Sequence, residues 1–198
     1  ISDTGAARAL TPTFSTLPIA RTSAFRYALG YVDGLAREYG VDREELRAYA
    51  QANCRGLHGI ARAFDVFEHM DGRSDNGGES EARAAMILAG VAAPELQVEI
   101  TRPGNAGYYL ADYGWQMPNG SWMLAELHGL GKFEDDAQND TEHTAAKTYR
   151  AALVRDANLR AMGHNVIHFK LSDTYDVKAF GSMMRGYGIP TTKPYADS

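Results

Sequence analysis

Three acidic residues stand at informative places. Glu79 opens an apolar helical stripe, Asp112 sits near the end of an apolar run, and Glu126 follows fourteen residues later inside another. An ionised carboxylate within apolar strand sequence is costly unless something pairs with it. Two of them on neighbouring strands repel, which raises one pKa. A divalent cation resolves the conflict: Mg²⁺ prefers carboxylate oxygens and keeps several waters, so two acids and a backbone carbonyl suffice, with Mn²⁺ as the other candidate ion. His128 stands two residues beyond Glu126, on the same strand face because side chains alternate with period two. Lys132 follows after a short loop. A metal that acidifies a water, a nearby base and a cation against developing negative charge are the parts that phosphodiester hydrolysis needs. Each residue also has a plainer reading: Asp112 as a turn or cap, Glu126 as the ion-pair partner of Arg155 or Arg160, His128 as a hydrogen-bonded structural histidine.

The elements that must position these residues are legible from periodicity. Residues 1–20, with Pro12 and Pro18, read as a loosely ordered lead-in or linker. Phe25, Leu29, Val32, Leu35 and Ala36 recur at helical spacing, with Gly40 as a stop. Asp42 caps a second helix from Arg43 to about Cys54, and a third carries Ile60, Ala63, Phe64 and Phe67. Residues 21–72 are therefore expected to form a helical subdomain, 73–178 a core and 179–198 a C-terminal tail. Within the core the pattern predicts a helix from Glu79 to Leu88, then strands over 96–100, 108–113 and 122–127. The last two are joined by a hairpin turn at Asn119-Gly120. A polar, acidic loop follows (Glu134, Asp135, Asp136, Asp140, Glu142), then a long helix from about His143 to Met162 and a strand from Asn165 to Phe169. Helix, three strands, long helix, strand is an α/β unit in which the helix links two parallel strands.

Composition bounds the function classes. The chain has 198 residues, 44% hydrophobic and 23% charged, which is ordinary globular composition. Charges interrupt every apolar run, so a membrane span is not expected. The single Cys54 excludes an intrachain disulfide and a thiolate-built metal site, making a cytoplasmic protein the expectation. Net charge is −5 and the isoelectric point about 5.7, which disfavours unspecific phosphate binding by the chain as a whole. Charge is uneven, however: between Ala145 and Lys170 stand Lys147, Arg150, Arg155, Arg160 and Lys170 against Asp156 alone, a set suited to phosphate-backbone contact or to a solvated helix face. The chain starts at Ile1, without a signal-peptide layout, and reads as a fragment or processed form. No phosphate-binding Gly-rich loop, HExxH or nucleophile elbow appears.

Several short motifs in order carry a family resemblance. They are Glu79-Ser80 with Arg83, Gly90 through Val98, Ala111-Asp112, Glu126-Leu127-His128-Gly129 with Lys132-Phe133, and Leu159 through Ile167. Over about residues 75–175 they resemble the Vsr-like, DUF559-type endonuclease domains of actinobacteria, of the PD-(D/E)XK nuclease superfamily. The resemblance implies a restriction-endonuclease-like core, a mixed sheet flanked by helices, here with an N-terminal helical layer. It implies a Mg²⁺-dependent DNA endonuclease with Asp112 and Glu126 as metal ligands, Glu79 acting directly or through water, and Lys132 at the phosphate. His128 stands where these domains usually have Asp, which leaves its proton-transfer role open. Phe133 replaces the usual Tyr, and the long helix has Ala152-Leu153-Val154 where a Glu-Lys pair is usual. A nick needs one chain and a double-strand cut a homodimer. The rival expectation is an inactive nuclease-like scaffold that binds DNA or regulates, in the manner of AbiEi-type antitoxins of toxin–antitoxin systems, whose winged-helix segment would lie upstream.

Overall fold

The computed structural model describes residues 2–3, 8–9, 11–128, 142–193 and 195. Lys132, Phe133 and the acidic positions 134–140 lie outside the described residues. The chain divides into two compact units, Ile1–Leu88 with Tyr195–Ser198, and Ala89–Pro194.

The first unit is helical. A short antiparallel pairing of β1 (Ser2–Asp3) and β2 (Arg8–Ala9) precedes α1 (Pro12–Thr22), α2 (Phe25–Tyr39), α3 (Arg43–Asn53), α4 (Ile60–Glu68) and α5 (Gly77–Leu88). The expected lead-in over 1–20 thus gives way to a helix from Pro12. Thr11 caps it by accepting the Phe14 N–H, and Pro12 occupies the first turn, where its missing N–H costs nothing. Gly40 ends α2 in the left-handed region (φ 63°), and the Asp42 carboxylate takes the N–H groups of Glu44 and Glu45 at the start of α3. Phe25, Leu29, Val32, Leu46 and Phe67 are fully buried in one core, which Ala84 and Ile87 of α5 join.

A buried ion pair crosses this core. Arg83 Nη2 lies 2.6 Å from Asp33 Oδ2, with the two side chains 7% and 0% exposed. Arg83 Nη1 also donates to the His69 carbonyl at 2.7 Å, and the Asp71 N–H donates to Asp33 Oδ1 at 2.8 Å. Burial pushes the Asp33 carboxyl above its ordinary value, against the opposing pull of Arg83 and the Asp71 N–H. The pair ties α2, α5 and the 69–71 turn together. It accounts for the unit boundary falling after Leu88 rather than at the expected 72/73: α5 contributes Ala84, Ile87 and its arginine to the helical unit.

The second unit is α/β. β3 (Glu95–Thr101), β4 (Tyr108–Gln116), β5 (Trp122–His128) and β6 (Asn165–Lys170) form a sheet in that order, the first three antiparallel and β6 parallel to β5. Helix α6 (Glu142–Ala161) makes the crossover between the parallel pair. Helix α7 (Val177–Gly186), capped by Asp176, occupies much of the expected tail and buries Phe180 and Met184.

Strand β4 changes face at Asp112. Ala111 is clustered with Leu124, Val166 and Leu159 of α6. Tyr113, two residues on, turns its ring toward Phe169 (6.0 Å between centroids), on the opposite side of β6 from Val166 by strand alternation. The ladder to β3 pairs Leu96 with Tyr113 and Val98 with Ala111 but omits the intervening Gln97, whose φ is 52°. Two residues that a regular strand would put on one face are thereby parted, with the register the same on either side of the gap.

Two stability outcomes follow. Arg83→Met strands a buried carboxylate and should cost about 3–5 kcal/mol in urea denaturation; adding Asp33→Asn, which keeps an acceptor for the Asp71 N–H, should recover part of that loss. A Cβ at Gly114 would lie 2.8 Å from Val98 Cγ2 and 3.2 Å from Leu124 Cδ2. Gly114→Ala should therefore lower stability by about 1–3 kcal/mol through overpacking, read as a fall in the denaturation midpoint.

Candidate functional site

The irregularity in β4 sets up the site. The pairing of β4 with β5 runs from Gln116–Trp122 to Tyr113–Ala125. Beyond it, the Leu127 N–H donates to Asp112 Oδ2, at 2.8 Å. The Asp112 carboxylate is thus drawn to the β5 backbone beside Glu126. The two charges feel one another: burial first, and Asp112 in addition, raise the Glu126 carboxyl above its ordinary value, while Arg155 and His168 oppose the shift.

Helix α6 answers the buried acid. Arg155 Nη2 donates to Glu126 Oε1 and also to the Leu110 carbonyl. Burial works against the charge on Arg155, but Glu126, Asp156 and Asp112 outweigh it and hold the guanidinium firmly protonated. The next residue, Asp156, is buried and lies 2.7 Å from His168 Nε2 and 3.5 Å from Arg160 Nη2. His168 is the register partner of Glu126 on the parallel strand, as Lys170 is of His128. The His128 and His168 rings stack at 4.7 Å and 14°. Burial, with His168 adding to it, pushes His128 below the usual histidine value, so its neutral form is favoured. Asp156 Oδ1 and His168 Nδ1 are buried without a hydrogen-bond partner among the described residues.

Of the expected site residues, Asp112, Glu126 and His128 are gathered here, and Arg155 with them. The plainer reading of Glu126, an ion pair with Arg155, is also present. Glu79 belongs to the helical unit. There its carboxylate takes the Asp75 N–H at 2.8 Å and the Asn76 side-chain amide at 2.6 Å, closing the start of α5. Lys147, Arg150 and Arg155 line a groove of about 760 Å³ along α6, while Arg160 is turned to Asp156. Asp156 and His168 were missed as site residues. The parallel register that sets His168 beside Glu126 follows only once β5 and β6 are paired.

Could a divalent cation be held? Among the described residues no group of three His, Cys, Asp or Glu side chains gathers to hold one. Mg²⁺ asks for fewer protein ligands, often one or two carboxylates with waters. Asp112 and Glu126 are two carboxylates of that type on adjoining strands, with Arg155 already bound to one of them.

Comparison with known proteins leaves the family open. No protein family matches the chain, and no solved structure does. Two curated proteins of Mycobacterium tuberculosis, from strains H37Rv and CDC 1551 / Oshkosh, are each 34% identical over 107 residues, 54% of this chain; both are named only as uncharacterized proteins. The match spans 39% of the length of those relatives.

The raised Glu126 carboxyl carries a pH consequence. The folded chain holds this proton more tightly than the unfolded chain does. The stabilisation is full below the ordinary glutamate pKa and is lost as pH rises through the raised folded value. Glu126→Gln removes that dependence, so its stability relative to the parent should rise from acidic toward neutral pH in paired denaturation curves.

Proposed function

We propose that the second unit is a Mg²⁺-dependent phosphodiesterase acting on DNA, of the PD-(D/E)XK type that its motifs resemble. The observation that carries this reading is the meeting of Asp112 and Glu126 on adjoining strands, where each charge burdens the other, beside a groove lined by Arg102, Lys147, Arg150 and Arg155. Three antiparallel strands, a crossover helix and a parallel fourth strand accord with the mixed sheet expected for that core. Asp112 and Glu126 would hold the ion, which supplies an acidified water and charge stabilisation at the phosphate when bound. The α6 cations would draw the phosphate backbone to the acids. Arg155, already at Glu126, is placed to exchange its carboxylate for a phosphate oxygen, since a guanidinium binds both in the same forked geometry. His128, favoured neutral, can take up a proton at its ring nitrogen.

One observation favours a second reading. The Arg155 guanidinium already neutralises Glu126, which a scaffold retained for DNA binding or regulation alone would need and keep.

The two readings separate in one assay. Supercoiled plasmid incubated with the protein and Mg²⁺ should be nicked, EDTA should stop the nicking, and Asp112→Asn or Glu126→Gln should reduce it to the level of a protein-free blank. Undiminished nicking by both variants would remove these acids from the site. Absence of nicking by the parent, with DNA still bound, would leave the scaffold reading.

A further inference from the structure

Along α6 two depressions run into one another. One, of about 760 Å³, is lined by Lys147, Arg150 and Arg155; the other, of about 460 Å³, by Pro103, Ala106 and Met162. Arg102, Tyr109 and Asn158 line both. From Lys147 to Ala161 the helix rises roughly 21 Å, enough for several nucleotides of an extended strand. Among the described residues the combined lining contains four cations and no acid.

The shared wall is a preset stack. The Arg102 guanidinium lies over the Tyr109 ring, 4.3 Å from its centroid. The Tyr109 hydroxyl accepts from Asn158 Nδ2 at 2.8 Å, which fixes the ring's orientation from the helix side. Arg102 itself is exposed, so its outer face is open to a planar group. Bases stack on aromatic rings and on guanidinium planes alike. The other end, at Ala106, Ala161 and Met162, offers an unstacked base aliphatic side chains to lie against. A duplex keeps its base faces covered and could use only the cations; a strand with free bases could use the whole groove.

We propose that this groove holds an unpaired nucleic-acid strand, its phosphates along Lys147, Arg150 and Arg155 and one base on the Arg102–Tyr109 stack. The proposal deepens the phosphodiesterase reading, on which it rests for the consequence that an unpaired segment is what reaches Asp112 and Glu126. Binding itself does not depend on cleavage.

The test is fluorescence anisotropy on the full chain in EDTA, where metal-dependent hydrolysis cannot occur. The probes are short single strands of DNA and of RNA, and a blunt duplex of equal length, with heparin as a polyanion without bases. A single strand of either sugar should bind more tightly than the duplex. Arg102→Met, a change at an exposed side chain, should weaken strand binding by about 5- to 150-fold, the range that loss of one stacking partner produces. The same variant should alter heparin binding only by the loss of one charge. Lys147→Gln with Arg150→Gln should weaken strand, duplex and heparin together and flatten the salt dependence. Equal or tighter binding of the duplex would overturn the proposal, as would strand binding unmoved by Arg102→Met or a loss equal to that for heparin. Strand binding in EDTA with no Mg²⁺-dependent cleavage of either plasmid or single strand would sink the hydrolytic reading alone. Nicking without a strand preference would sink this proposal alone.

Discussion

A carboxylate set among apolar strand residues is unfavourable until a positive group reaches it, and the geometry of the second unit is organised around meeting that need at Glu126. The strand cannot supply the counter-charge, because its neighbours Leu124 and Ala125 are buried and apolar. The crossover helix can. Its Arg155 meets Glu126, and its Asp156 meets His168, the residue beside Glu126 on the next strand. Two consecutive helix residues thus engage two neighbouring strand positions with opposite signs. Such pairs confer little net stability, since desolvation offsets their attraction, but they penalise any other placement of α6 on the sheet. The same arginine stands at the edge of the cationic groove, so the group that satisfies the buried acid also borders the surface that can receive phosphate.

The departure of β4 from regular pairing is the second determinant. Gln97 adopts a positive φ, which costs a non-glycine residue of order 1–3 kcal/mol. Opposite it, the Asp112 side chain accepts the Leu127 N–H. Residues held in such conformations persist only where the surroundings over-determine them, and they concentrate at sites of function. Here the irregularity parts Ala111 from Tyr113, so that one serves the core under α6 and the other the core beside Phe169. Asp112, at the switch between them, is left beside Glu126.

The helical unit follows a different logic. Its Asp33–Arg83 pair is buried more completely than the Arg155–Glu126 pair. It joins α5 to the helical unit, where the motif order had grouped that helix with the strands. Glu79 goes with that helix, and its carboxylate serves the helix start through Asp75 and Asn76.

Periodicity and turn chemistry were enough to place the helices from Phe25 to Glu68, the three antiparallel strands, the Asn119-Gly120 hairpin, the long helix and the parallel β6, because each of these depends on local alternation, caps and glycines. Asp112, Glu126 and His128 stood out for the same reason: charge inside an apolar strand is visible in one dimension. The helix at Pro12 escaped notice because proline reads as a breaker until Thr11 is seen to cap ahead of it. Tertiary structure alone decided the rest. The allegiance of α5 turns on Arg83 reaching Asp33, fifty positions away; the choice of Arg155 rather than Arg160 for Glu126 turns on which side of α6 meets the sheet; and the role of His168 turns on parallel register. These are distances across space between residues far apart in the chain, and no local pattern of residue types encodes them.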